Sequence, residues 1–387
     1  MAGQRLLIII DRFKSEFGRV EGRIRVGDQE FVLYFRSELE LSDAAAEALL
    51  LLALPAAMRC GGPLISEALV SPQLLQQIPH IQNIYRCWDS KLRRVELNVP
   101  ARLPDNRPSP IAMAREAIAF TGGVDSFYAA LQSPRASLVF IHGLDVALGD
   151  HDLRKKVRER LAWAAAELER PLLEMETNLR EFSDRYLGWS LAFGGALAAC
   201  ALLLSRHFDV FGIPAGQSYK SLQPDGAHPV LNPLFSTEAV AIQTLGCEAR
   251  RVEKVELIAR HPVVQRALRV CWENRGNAYN CGVCEKCLRT MAALEIFGVL
   301  QQCSTFAVPL DYGRLSRAVP ADPALDMFIH ENLEAARANS ASPELIRSLQ
   351  KALARSQSPL LRTLLTRVPR RFHDWYYRVF QRQPSTR

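Results

Sequence analysis

The chain of 387 residues has no hydrophobic run long enough to be read as an ordinary membrane span. The segment Leu187 to Leu204 ("LGWSLAFGGALAACALLL") is eighteen residues without a charge, at the lower edge of such a span, and is rich in Gly and Ala. That composition suits a helix packed closely inside a protein, and a buried core helix is the expectation. The run "RLLIII" is closed by Asp11 and lacks the longer apolar core and small-residue cleavage site of a signal peptide, so it reads as a first strand. No internal repeat and no low-complexity segment stands out. G-x-x-x-x-G-K-[ST] and G-x-G-x-x-G are both missing, which removes the P-loop NTPase and the dinucleotide-binding readings.

Charge is scarce as a net quantity everywhere but the end. From Arg355 onward there are eight arginines, no lysine and one acid, Asp374, so this tail carries the whole net charge of +7. The body is near neutral, and a nucleic-acid channel through it is not indicated. The tail interleaves its arginines with Phe372, Trp375, Tyr376, Tyr377 and Phe380. It is either a solvated basic helix packing its aromatics on its own domain, or a surface for a membrane, RNA or a partner.

Cysteine is present but uneven. Cys60, Cys87, Cys200, Cys247 and Cys303 are scattered, consistent with core packing in a reducing, cytoplasmic compartment. The other four, Cys271, Cys281, Cys284 and Cys287, form C-x9-C-x2-C-x2-C. Four thiolates near the spacing of a zinc knuckle point to a tetrahedral Zn2+ site, with an iron–sulfur cluster as the competing reading. Gly282 suits the tight turn inside the knuckle, and the last two cysteines stand at the start of the helix "EKCLRTMAALEIF".

The pattern of elements predicts an α/β protein. "VEGRIRV-GD-QEFVLYF" reads as a hairpin turning at Gly27-Asp28, Ser42 as the cap of an Ala/Leu-rich helix ending near Gly61, and Ser71-Pro72 as the start of another helix. "RRVELNV" reads as a strand, and "PARLPDNRPSP" as a domain boundary. Beyond it "AIAF", "SLVFIHG", "PLLEMET" and "FDVFGIP" alternate with helices, one of them capped by Asp150, so a doubly wound parallel sheet is expected. The division is an N-terminal α+β accessory domain over 1–108, the alternating domain with the cysteine element over 109–305, and a helical basic region over 306–387.

"AIAFTGGVDSFYAALQ" takes a strand through two glycines into a helix. Such a turn presents free N–H groups and the positive end of a helix dipole at the carboxyl end of a strand, where ligands of these sheets bind. Gly122 and Gly123 have no Cβ to obstruct a phosphate, Thr121 and Ser126 carry hydroxyls, and Asp125 would hold Mg2+ or orient the loop. The bland reading is a glycine turn with Asp and Ser as a helix cap.

"FTGGVDSFYAAL" resembles the Ser-Gly-Gly-x-Asp-Ser loop of the ATP pyrophosphatase superfamily, with Thr121 in place of the usual serine. Followed about 150 residues later by the four cysteines, it is similar to the cyano-deazaguanine synthase (QueC-like) branch, and the likeness covers roughly residues 112 to 298. The resemblance implies a HUP-type nucleotide domain in which Thr121, Gly122, Gly123, Val124, Asp125 and Ser126 bind ATP pyrophosphate. In "RVEKVELIARHP", Lys254 takes the position of the branch's phosphate-facing lysine, with Arg251 as a further candidate; both also read as solvated helix charges. His142 and Asp145 would line the adenosine side, or His142 is a hydrogen-bonded strand-end residue. Ser218, Lys220, His228 and Ser236 fall where the branch handles its acceptor.

The implied activity is adenylation of a carboxylate, deazaguanine-like or on a protein, with release of AMP and pyrophosphate and transfer to a nitrogen nucleophile. Asp125 and Lys254 would be the catalytic pair, and ATP, Mg2+ and Zn2+ the cofactors. Relatives of this kind with added domains occur in antiphage defence, so the N-terminal unit could recognise a protein partner, and a homodimer is a further expectation. A tRNA-modifying enzyme using the basic tail and a non-catalytic nucleotide-binding subunit are the alternatives.

Overall fold

A computed structural model describes residues 6–103, 114–318, 320 and 325–358. The basic tail beyond Ser358 and most of the proline-rich boundary segment lie outside the described residues. Ten strands form one mixed sheet: β1 (Ile8–Glu16), β2 (Arg19–Val26), β3 (Gln29–Arg36), β4 (Leu64–Ser66), β5 (Leu97–Asn98), β6 (Glu116–Ala119), β7 (Ser137–His142), β8 (Leu172–Thr177), β9 (Val210–Pro214) and β10 (Ala241–Leu245). Their order is β10-β9-β6-β7-β8-β3-β2-β1-β4-β5. The five strands from β10 to β8 run parallel, whereas β8–β3, β3–β2 and β2–β1 pair antiparallel. The architecture is therefore α/β with a mostly parallel sheet, but not parallel throughout.

The first hundred residues do not build a separate sheet. Phe35 and Arg36 of β3 pair with Thr177 and Glu176 of β8, and Asn178 continues the join by bonding the backbone of Tyr34 and Val32. The hairpin turns at Gly27, whose φ of +58° is open to glycine at little cost.

The described residues form twelve helices, of which the last three pack on other helices rather than on the sheet: α1 (Ala45–Cys60), α2 (Pro72–Trp88), α3 (Val124–Gln132), α4 (His151–Glu167), α5 (Arg180–Tyr186), α6 (Trp189–Leu203), α7 (Arg251–Ile258), α8 (Pro262–Ala267), α9 (Glu285–Ile296), α10 (Tyr312–Leu315), α11 (Asp326–Ala338) and α12 (Pro343–Ser356). Ser71 and Asp150 cap α2 and α4 as expected, accepting bonds from Leu74 and Leu153. Ser42 does not cap α1. Its hydroxyl donates to Leu202 O and its amide to Leu203 O, tying the chain to the end of α6, while the N-cap of α1 is Ala44, which offers no side-chain bond. "RRVELNV" contributes only the two residues of β5.

α6 is the Gly/Ala-rich segment, and its composition has a packing cause. A Cβ on Gly194 would lie 1.8 Å from Gly226 O, so only glycine lets that loop touch the helix. Its buried face joins α1 in the larger core, and among the described residues no helix is long and apolar enough to cross a membrane. A second core lies between α3, α4, α8 and α9, and a third joins α9 to α11 and α12.

Candidate nucleotide site and metal centre

The strand order reverses between β6 and β9: β7 and β8 follow on one side of β6, β9 and β10 on the other. The loops leaving β6 and β9 thus border the crevice where open parallel sheets bind ligands. Out of β6 the chain runs through Thr121, Gly122 and Gly123 into α3. Gly122 has φ +73°, and its carbonyl accepts a 2.7 Å bond from the Arg269 amide. Gly123 is the extended N-cap. The first intrahelical bond is from Phe127 N to Gly123 O, so the amides before Phe127 have no carbonyl one turn back. An added Cβ on Gly123 would find only Thr121 Oγ1 at 3.4 Å and Arg269 O at 3.6 Å, an otherwise open space. The Ser126 hydroxyl is turned inward, donating to Gly123 O at 3.1 Å, so it braces the loop.

Asp125, on the first turn of α3, gathers the charged groups. Its Oδ2 accepts a 2.6 Å bond from Arg251 Nη1, and its Oδ1 lies 3.7 Å from Lys254 Nζ. That Oδ1 is buried with no hydrogen-bond partner. Lys254 is fully buried, and Nζ donates to Ala215 O, at the end of β9, at 2.6 Å. Burial pushes the Lys254 ammonium below the ordinary lysine range, and Asp125 opposes that shift. Gly216 lies against the same pair: a Cβ there would be 3.4 Å from Arg251 Nη1. The glycine loop, Asp125, Arg251 and Lys254 therefore meet at one place.

Two further cations at this place carry no signal in the loop motif. Lys286 and Arg289 lie three residues apart on α9, among the cysteines. Burial lowers both; the guanidiniums of Arg251 and Arg289 lie over the same Phe328 ring, and Lys286 stands one helical turn before Arg289. The sign that could have found them is their helical spacing beside the last two cysteines.

Of the other candidates, His142, Ser218, His228 and Ser236 bond or pack outside this cluster. His142 Nε2 pairs with Glu174 Oε2 at 2.9 Å, leaving a buried Nδ1 without a partner. Asp145 offers its carbonyl to Asn274, which also binds Arg269. His228 packs tilted against Trp88, with ring centroids 5.0 Å apart, and Ser236 accepts from the Ile242 amide. Ser218 meets Ser221, and Lys220 is exposed.

The four clustered cysteines converge. The Sγ atoms of Cys271, Cys281, Cys284 and Cys287 all lie within 4.8 Å of one another, and Cys281 and Cys287 are 3.9 Å apart. A tetrahedral ion at about 2.3 Å from each sulfur needs S···S separations of roughly 3.8 Å, so the set could hold zinc. Amides of Cys284 and Cys287 donate to the sulfurs of Cys281 and Cys284, a pattern that favours thiolates. Gly282 takes φ +68°, making the knuckle's turn. Asn280, absent from the motif, organises the approach. Buried, it accepts from the amides of Val270 and Cys271 and donates to Leu268 O, fixing the segment whose Arg269 amide holds Gly122.

No protein-family model matches the chain, nor does any curated protein or solved structure.

Proposed function

We propose that the chain is an ATP-dependent enzyme of the ATP pyrophosphatase type, in the QueC-like branch, that adenylates a carboxylate and passes the acyl group to a nitrogen nucleophile. One observation carries this reading: a glycine loop at the sheet's switch point meets Asp125, Arg251 and Lys254 in one cluster. Free amides at a helix start with buried cations beside them suit a polyphosphate.

The chemistry follows from where charge would develop. A carboxylate oxygen attacks the α-phosphorus of ATP, the bond to the bridging oxygen breaks, and pyrophosphate leaves with the electron pair. The loop amides, Arg251 and Lys254 bind the departing group and stabilise its growing charge. The nitrogen nucleophile then attacks the acyl carbon of the adenylate, and AMP departs. The unpartnered Oδ1 of Asp125 would hold magnesium, whose charge would screen the phosphates when bound. The four cysteines would hold zinc with every coordination position filled, a structural role.

Pyrophosphate release from ATP, measured against a panel of deazaguanine carboxylates, candidate protein acceptors and tRNA, tests this reading. Release that depends on a carboxylate supports it. Release driven by tRNA alone would favour a tRNA-modifying enzyme.

A further inference from the structure

Beside Arg251 of the glycine-loop cluster lies a buried arginine whose hydrogen-bonding capacity is not used. Arg289 is 7% exposed, and its Nε and Nη1 are buried without hydrogen-bond partners. Glu285 Oε1 forms an ion pair with Nε at 3.4 Å, but no hydrogen bond. The guanidinium lies 4.4 Å over the Phe328 ring of α11, and that of Arg251 lies 5.4 Å from the same ring. Arg251 is hydrogen-bonded by Asp125, whereas Arg289 is only ion-paired, with Glu285, and no acceptor takes up the hydrogen-bond capacity of its Nε and Nη1. A guanidinium left so is costly unless an oxyanion completes it.

We propose that Arg289 and Lys286 form, with Arg251, a phosphate-oxyanion subsite on α9 facing the glycine loop. It rests on the nucleotide reading above and deepens it, assigning part of the phosphate grip to the helix that the cysteine cluster begins. Three features select a phosphate oxygen. The arginine's planar fork donates in pairs, Lys286 stands in the first turn of a twelve-residue helix, and Arg251 already belongs to the loop cluster. The competing account makes both cations counter-charges for a zinc tetrathiolate, with no ligand of their own.

The test is calorimetric titration of the zinc-loaded full chain with inorganic pyrophosphate and a non-hydrolysable α,β-methylene ATP analogue. Arg289→Gln should weaken pyrophosphate by roughly ten- to hundredfold, the worth of one charged hydrogen-bonded contact. Arg289→Lys should restore part of the loss, and Lys286→Gln should reduce the dependence on salt. Zinc content and melting temperature serve as controls for folding. A variant that loses zinc but binds pyrophosphate like the wild type overturns the subsite in favour of the counter-charge account. Unchanged affinity with zinc retained overturns it too. If the wild type itself binds neither ligand, the nucleotide reading fails first and takes the subsite with it.

Discussion

Alanine at Gly122 and alanine at Gly123 should have opposite consequences, although the two positions are adjacent. Gly122 has φ +73°, and a Cβ there would lie 2.7 Å from Leu161 Cδ2, within the core. A left-handed conformation costs a non-glycine residue about 1 kcal/mol, and displacing a packed leucine costs at least as much again. Gly122→Ala should therefore lose about 2 to 3 kcal/mol, roughly 3 °C of melting temperature for a chain of this size. Gly123 has φ −78°, which alanine adopts freely, and its nearest contacts would be ordinary at 3.4 and 3.6 Å. Gly123→Ala should cost under about 1 kcal/mol. Yet its methyl would fill the open space before the loop amides, so affinity for ATP should fall about tenfold or more. Thermal melts paired with calorimetric titration of ATP separate the two effects. If Gly123→Ala both melts and binds as the wild type does, the loop is a plain turn and the phosphate reading is wrong.

Metal analysis should find about one zinc per chain, and Cys284→Ser should lower the melting temperature, since metal binding at such sites adds to folding free energy. Iron and sulfide with visible absorbance would contradict it. Asp125→Asn should cut turnover about a hundredfold while changing ATP affinity far less, as read from kcat against Kd. At the other end of the sheet, Arg23 and Arg25 bond Asp11 and hold its carboxyl below the ordinary value of 3.8, Arg23 foremost. A depressed acid contributes stability above its unfolded value and loses it as pH falls through the folded one. Asp11→Asn should therefore be about 1 kcal/mol less stable at pH 7, with the gap closing in urea melts below pH 3.8. A gap constant with pH would refute that.

What could be read in advance was local. The hairpin, the caps at Ser71 and Asp150, the strands β6 to β9 and the convergence of four cysteines follow from short-range patterns: alternation, capping chemistry and ligand spacing. The pairing of β3 with β8 depends on two edges 140 residues apart in sequence, whose meeting no local pattern encodes. β10 was missed because "AIQTL" is short and follows an irregular, proline-bearing stretch. Ser42 looked like a cap because serine before a helix usually is one; here the carbonyls ending α6 compete for it. Arg289 and Lys286 have no motif to mark them, and their relevance emerges only once α9 packs on α11 and Arg251 of α7 reaches the same Phe328 ring.

The central claim is that the bond between the α- and β-phosphates of ATP is the one that breaks. Incubating the zinc-loaded protein with ATP labelled at the α-phosphate, magnesium and a panel of carboxylate acceptors, then separating the nucleotides by chromatography, tests it most directly. The account predicts AMP and pyrophosphate in equal amounts, dependent on one class of carboxylate and lost in Asp125→Asn. ADP and orthophosphate as the sole products would contradict it.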